Sequence, residues 1–124
     1  MKIKKKQTQK IFLPKEFFED EKEYFVEVSE WSNYQRNIWG FLFVKDGITQ
    51  KDIENQNFEI DIEKVSKKDF YFLAISILET NLNTNWKNLS LDERVDYLVW
   101  IDTQKPEITN FLLNEVKKIV GIEI

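Results

Sequence analysis

Apolar and polar positions alternate with period two in short stretches of the first half of the chain and recur at helical spacing through the second half. Residues 10–13 (K-I-F-L) and 24–30 (Y-F-V-E-V-S-E) are rich in aromatic and β-branched side chains, and Tyr24, Val26 and Val28 alternate with Phe25, Glu27 and Ser29. That period belongs to a strand with one buried face, so the two segments are expected to pair as a β-ribbon. Ser32 or Asn33 can cap a helix in which Tyr34, Ile38, Phe41 and Leu42 share a face, giving a helix over residues 33–44. Residues 39–44 (W-G-F-L-F-V), followed by Asp46-Gly47, read equally well as a buried strand entering a turn. Residues 57–65 (N-F-E-I-D-I-E-K-V) alternate most cleanly, with Phe58, Ile60 and Ile62 opposite Glu59, Asp61 and Glu63, and are expected to form a strand.

Three helices follow. Ser66 stands three residues before Asp69 and opens an apolar run, the pattern of a capped helix over about 67–82. Ser90 and Glu93 repeat that offset ahead of Val95, Leu98 and Val99, predicting a helix over about 91–101. Pro106 suits the first turn of a third, where its missing N–H has no partner to lose. Ile108, Phe111, Leu112, Val116 and Ile119 form its stripe, Lys117 and Lys118 lie at the negative end of its dipole, and Gly121 can end it. The expectation is one α+β domain spanning residues 1–124, with a small antiparallel sheet from the N-terminal half packed on a helical C-terminal half of three to four helices. Residues 1–10 are a basic segment, either strand or partly disordered.

Composition narrows the chemistry. The 124 residues include no cysteine and no histidine, which removes disulfides, Cys/His zinc sites, the Ser-His-Asp triad and a histidine pH switch. Eighteen aromatic residues, ten of them Phe, argue for a packed core and against disorder. The longest nearly apolar run, residues 70–78, is too short to span a bilayer, and the basic start lacks the apolar stretch of a signal peptide. A cytoplasmic location, with no membrane partner, is the expectation.

The net charge of −4 is distributed unevenly. Residues 1–15 carry six lysines and no acid; residues 16–30 carry seven acids and only Lys22. These blocks suggest segments that lie against each other and cancel, rather than a nucleic-acid arm, because a nucleic-acid binder should be basic as a whole.

No motif for catalysis stands out. Three isolated glycines cannot build a phosphate loop, and no serine lies in a G-x-S-x-G elbow. Glu59, Asp61 and Glu63 would sit about 6.6 Å apart along one strand face, which reads as a solvated face rather than a metal site. Asp92, Glu93 and Asp96 complement the start of a helix dipole. No cofactor is expected. The helix over 67–82 is apolar nearly all round: Phe70, Leu73, Ala74, Ile77 and Leu78 make one stripe, leaving Tyr71, Phe72 and Ile75. Either this helix is central, or those three residues form a patch for a protein partner. Trp86 and Trp100 are further candidate anchors, since tryptophan is enriched at interface hot spots; Trp86, in a polar stretch, is expected to fold back onto the helices.

The order of elements resembles the tail assembly chaperones of long-tailed bacteriophages. The likeness rests on I-F-L-P (11–14), E-Y-F-V-E-V-S-E-W-S (23–32), Gln35-Arg36, I-L-E-T-N (77–81), L-S-L-D-E-R-V-D-Y-L-V-W-I-D (89–102) and P-E-I-T-N-F-L-L-N-E-V (106–116). It covers roughly residues 10–119 in soft patterns of apolar and acidic positions. The chain departs from the family where a Trp-Asn pair often closes the central helix: Asn81 stands there, and Trp86-Lys87-Asn88 only approximates the pair. The resemblance implies a non-enzymatic factor, made in a host bacterium or carried in a prophage. It would bind the tape measure protein and recruit tail tube subunits, with homo-oligomers possible. The alternative is a small acidic immunity or antitoxin-like protein that occludes a basic toxin through residues 16–30 or the face Glu59, Asp61, Glu63.

Overall fold

Strands β1 (Gln9–Phe12) and β2 (Phe25–Val28) pair antiparallel, with Lys10 opposite Glu27 and Ile11 opposite Val26, as the alternation requires. The computed structural model describes residues 1–45, 49–56 and 59–121. The turn expected at Asp46-Gly47 and the first two residues of the expected strand, Asn57 and Phe58, lie outside the described residues. A two-residue strand, β3 (Glu79–Thr80), adds to the other edge of β2, giving the order β1-β2-β3. The inner face carries Ile11, Val26 and Val28 into the core, and the outer face shows Lys10, Phe12, Phe25 and Glu27. Glu27 faces Glu79, but Lys10 opposite the first and Lys87 at 3.5 Å from the second offset the like charges.

Helix α1 (Asn33–Phe41) begins at Ser32, whose hydroxyl accepts from the Gln35 N–H while the Gln35 side chain accepts from the Ser32 N–H. The same Gln35 amide donates to the Ile75 carbonyl at 2.8 Å and ties α1 to the helical half. Past Phe41 the chain turns, and Val44 forms a single antiparallel bridge with Ile60. A short helix, α2 (Gln50–Glu54), lies between.

The strand expected over 57–65 is corrected. Beyond the bridge at Ile60, Asp61 caps α3 (Ile62–Ser66) by accepting from the Lys64 N–H. A period-two pattern is rewarded only where a sheet and a core meet it, and here Ile60, Ile62 and Val65 stay exposed. The helix expected over 67–82 is also shorter. Helix α4 (Lys68–Ser76) stops where Ile77 turns extended, because Leu78, Glu79 and Thr80 find partners on the open edge of β2. Ser66 does not cap it; its hydroxyl donates to the Glu63 carbonyl.

Helices α5 (Leu91–Gln104) and α6 (Pro106–Val120) match their sequence signals closely. Ser90 and Glu93 complete a reciprocal capping box, and the Ser90 backbone N–H holds the Glu93 carboxyl below its usual range. Pro106 opens α6, and Gly121 closes it at φ 73°, a left-handed conformation that a side chain would strain.

The architecture is therefore α+β, a three-stranded antiparallel sheet on a helical half. One core joins the inner face of β1 and β2 to α4, α5 and α6. Helix α4 lies at its centre: Tyr71, Phe72, Leu73, Ala74, Ile75 and Ser76 are all buried. No helix among the described residues is long and apolar enough to cross a membrane.

Candidate functional site: an aromatic groove beside α5

Four of the five residues singled out as partner anchors belong to the core. Phe72 stacks against Trp31 and Trp39, with centroids 5.4 and 6.0 Å away, and Tyr71 and Ile75 are buried on either side of it. The patch of Tyr71, Phe72 and Ile75 is thus corrected to a central helix, because neighbours cover α4 all round. Trp86 folds back as expected: its indole N–H donates to the Ile77 carbonyl at 2.9 Å, and the Arg94 guanidinium lies 4.9 Å from its ring centroid. It is too deep to be a surface anchor.

Trp100 is different. It is 56% exposed, on the side of α5 away from Leu98 and Ile101. Tyr97, one turn earlier, lies 5.9 Å from it with the rings inclined by 31°. The loop between β1 and β2 brings Phe17, Phe18 and Tyr24 to the same place. Phe18 and Tyr24 are 4.3 Å apart, and Phe17 meets Phe111 of α6 edge-on at 6.1 Å. With Leu82, the rings of Phe17, Phe18, Tyr24, Tyr97 and Trp100 line an open groove of about 340 Å³.

Hydrogen bonds hold the rings in place. The Tyr97 hydroxyl donates to the Leu82 carbonyl at 2.7 Å, and the Tyr24 hydroxyl donates to Asp20 at 2.7 Å, which raises the Tyr24 pKa. Asn81 anchors the start of β2: its carbonyl oxygen accepts from the Phe25 N–H and its amide donates to the Glu23 carbonyl, both at 2.8 Å. In the sequence, Tyr97 and Trp100 are readable as an i, i+3 pair, and Phe17-Phe18 as an aromatic doublet inside an acidic run. Nothing local says that they converge.

A second groove, of about 590 Å³, runs between α1 and α5 over Ile38, Ile75, Leu78 and Leu91, with Lys6 and Arg94 at its rim. A third, polar cleft of about 270 Å³ gathers Asp61, Asp92, Asp96, Lys64 and Lys67 around Tyr71. The Tyr71 hydroxyl donates to Asp92 at 2.9 Å. Burial, then that hydrogen bond and the nearby carboxylates, push its pKa up to about 12. Such a phenol stays protonated near neutrality and supplies no base there. Because the folded state disfavours the phenolate, its stabilising effect is complete below pH 10 and is lost between about pH 10 and 12. The fold should lose stability over that window. Thermal unfolding of the wild type should fall more steeply there than that of Tyr71→Phe; parallel curves would count against the assignment.

The acidic face expected along residues 59–63 does not form. Glu59 pairs with Lys45 at 2.7 Å, Asp61 caps α3, and Glu63 lies 3.7 Å from Lys67. Among the described residues no group of three or more ligating side chains could hold a metal ion.

The charge blocks overlap only in part. The antiparallel register sets the lysine segment beside Glu27 and Glu30, and the Lys6 ammonium donates to the Glu30 carbonyl. Glu16, Glu19, Asp20, Glu21 and Glu23 lie instead in the loop at the opposite end of the ribbon, with Lys15 and Lys22. Full cancellation is therefore corrected: a ribbon folded in half pairs the far ends of the two blocks and leaves the other acids in the loop, where Asp20 accepts from the Tyr24 hydroxyl.

Compared with known proteins, the chain matches no family model, no curated protein and no solved structure.

Proposed function

We propose that this chain is a non-enzymatic protein-binding factor, and specifically a tail assembly chaperone of a long-tailed phage or prophage. It would act in the host bacterial cytoplasm, on the tape measure protein or tail tube subunits. The observation that carries the binding role is Trp100, a half-exposed indole backed by Tyr97 at the mouth of a preformed aromatic groove. Rigid aromatic rings bury much area at little entropic loss, the property of interface anchors. The tail-assembly identity is supported by the sequence pattern over residues 10–119. Shielding of a partner's apolar helix then falls to this groove, since α4 is enclosed.

Co-expression with the tape measure protein from the same genome should raise that protein's soluble yield and give a complex that survives purification. Trp100→Ala should weaken the complex by about 30-fold, the scale of a hot-spot truncation, while changing stability by less than about 1 kcal/mol. No complex and no gain in soluble yield would reject the reading. The alternative, an immunity-like protein, keeps only the loop acids as its charged face, and capture of a basic toxin in place of tail proteins would favour it.

A further inference from the structure

The larger groove, between α1 and α5, has an aliphatic floor of Ile38, Ile75, Leu78, Leu89 and Leu91 and, at its rim, a cation that the fold leaves unpaired. That cation is Arg94, which is half-buried. Its guanidinium lies 4.9 Å from the centroid of the Trp86 ring, and its Nε donates to the Trp86 carbonyl at 3.0 Å. Stacking and hydrogen bond together fix the plane of the group. Among the described residues its terminal N–H groups have no hydrogen-bond partner and no carboxylate pairs with it.

In a chain with 22 acidic residues this isolation has a positional cause. Three and four residues from Arg94 along α5 stand Ser90, Leu91, Tyr97 and Leu98, none of them acidic. Asp92 and Asp96 line the polar cleft around Tyr71 instead, and the Glu93 carboxylate accepts from the Ser90 N–H. Burial lowers the Arg94 pKa, but an arginine keeps its charge at neutral pH. Lys6 and Glu30 also border the groove and offset each other, so Arg94 leaves it with positive charge in excess.

A guanidinium that is partly desolvated and fixed in plane is a fork for a carboxylate, which it can hold bidentately. The aliphatic floor beside it rewards apolar side chains. The groove, of about 590 Å³, is open to one side. A free aliphatic acid would leave much of its chain in water there, whereas a peptide end brings the body of its own protein to cover it. Of the carboxylates a protein can offer, the C-terminal one sits on the same residue as the last apolar side chain. Unlike that of Glu, it has no flexible stem to immobilise.

We propose that this groove binds the C-terminal end of another protein, with the terminal carboxylate on the Arg94 guanidinium and aliphatic side chains against Leu78, Leu89 and Leu91. The site is separate from the aromatic groove beside Trp100 and does not depend on the tail-assembly reading.

Two synthetic peptides test it on the full chain: acetyl-Ser-Ala-Leu-Ala-Leu with a free C-terminus, and the same sequence as the C-terminal amide. Binding is read by calorimetry and by the NMR signal of the Arg94 Nε–H. The free acid should bind at least about tenfold more tightly than the amide, the difference a charge-assisted pair makes, and should shift that signal. Arg94→Gln should lower the affinity for the acid to that for the amide and leave the amide unchanged, while Arg94→Lys should retain part of the preference. Leu78→Gln, at an exposed floor position, should weaken acid and amide alike. Circular dichroism should report a wild-type fold for each variant, and the comparison of acid with amide on the wild type stands without them. Equal binding of acid and amide, an acid preference that survives Arg94→Gln, or no binding of either at about 1 mM, where one ion pair and a few buried side chains should register, would each overturn the proposal. Decanoate binding as tightly as the free acid would overturn it too, and assign the groove to small aliphatic acids. An amidated peptide with an internal Glu that binds as tightly would do the same, and assign it to an acidic side chain.

Discussion

Replacing Phe72 with alanine is expected to lower the unfolding free energy by about 3–5 kcal/mol, the range for deleting a buried ring. Phe72 has no exposed surface and lies against Trp31 and Trp39, so its removal leaves a cavity walled by large rigid rings that cannot collapse into it. Those rings are also fixed from behind: the Trp31 indole donates to the Ser76 hydroxyl at 2.8 Å, which donates to the Phe72 carbonyl at 2.7 Å. Urea unfolding followed by tryptophan fluorescence measures the loss, and a change below about 1 kcal/mol would contradict the central place given to α4. Phe72→Asp should be worse, because a carboxylate there is buried without a partner. A binding defect in that variant would report unfolding and not a lost contact.

Trp86→Ala should cost a similar amount by a different route. The indole is 1% exposed, and its loss empties a large volume between α4 and α5. It also removes the donor to the Ile77 carbonyl, at the place where α4 ends and the chain turns toward β3. The Arg94 guanidinium, half-buried over the ring, loses its stacking partner, although its Nε still donates to the Trp86 carbonyl at 3.0 Å. Ring and hydrogen bond together predict about 4–5 kcal/mol. Trp86→Phe separates the two: it keeps most of the ring and loses the donor, with an expected cost of about 1–3 kcal/mol. Equal losses for the two variants would place the energy in the hydrogen bond alone.

The elements that could be read from sequence have a local physical cause. Ser90 with Glu93, Pro106 and Gly121 bracket α5 and α6 through backbone groups a few residues away, so pattern and structure agree. The alternation in 24–30 was reliable because half of it meets a core. The same alternation over residues 59–65 meets only a single bridge, at Ile60, and Asp61 turns it into the cap of a short helix. The end of α4 was unreadable for the converse reason: residues 78–80 leave the helix for a strand edge some fifty positions earlier in the chain.

The candidate site divides along the same line. Composition alone removed cysteine and histidine chemistry, and sequence pattern alone marked α4 as apolar all round and the charges as two blocks. Only the tertiary structure decided that α4 is enclosed, that Trp86 is inside and Trp100 outside, and that Phe17, Phe18, Tyr24 and Tyr97 meet around Trp100. The physical reason is range. Caps, turns and periodicity depend on neighbours within about one helical turn, whereas exposure and the meeting of a loop with a helix depend on contacts between residues some eighty positions apart.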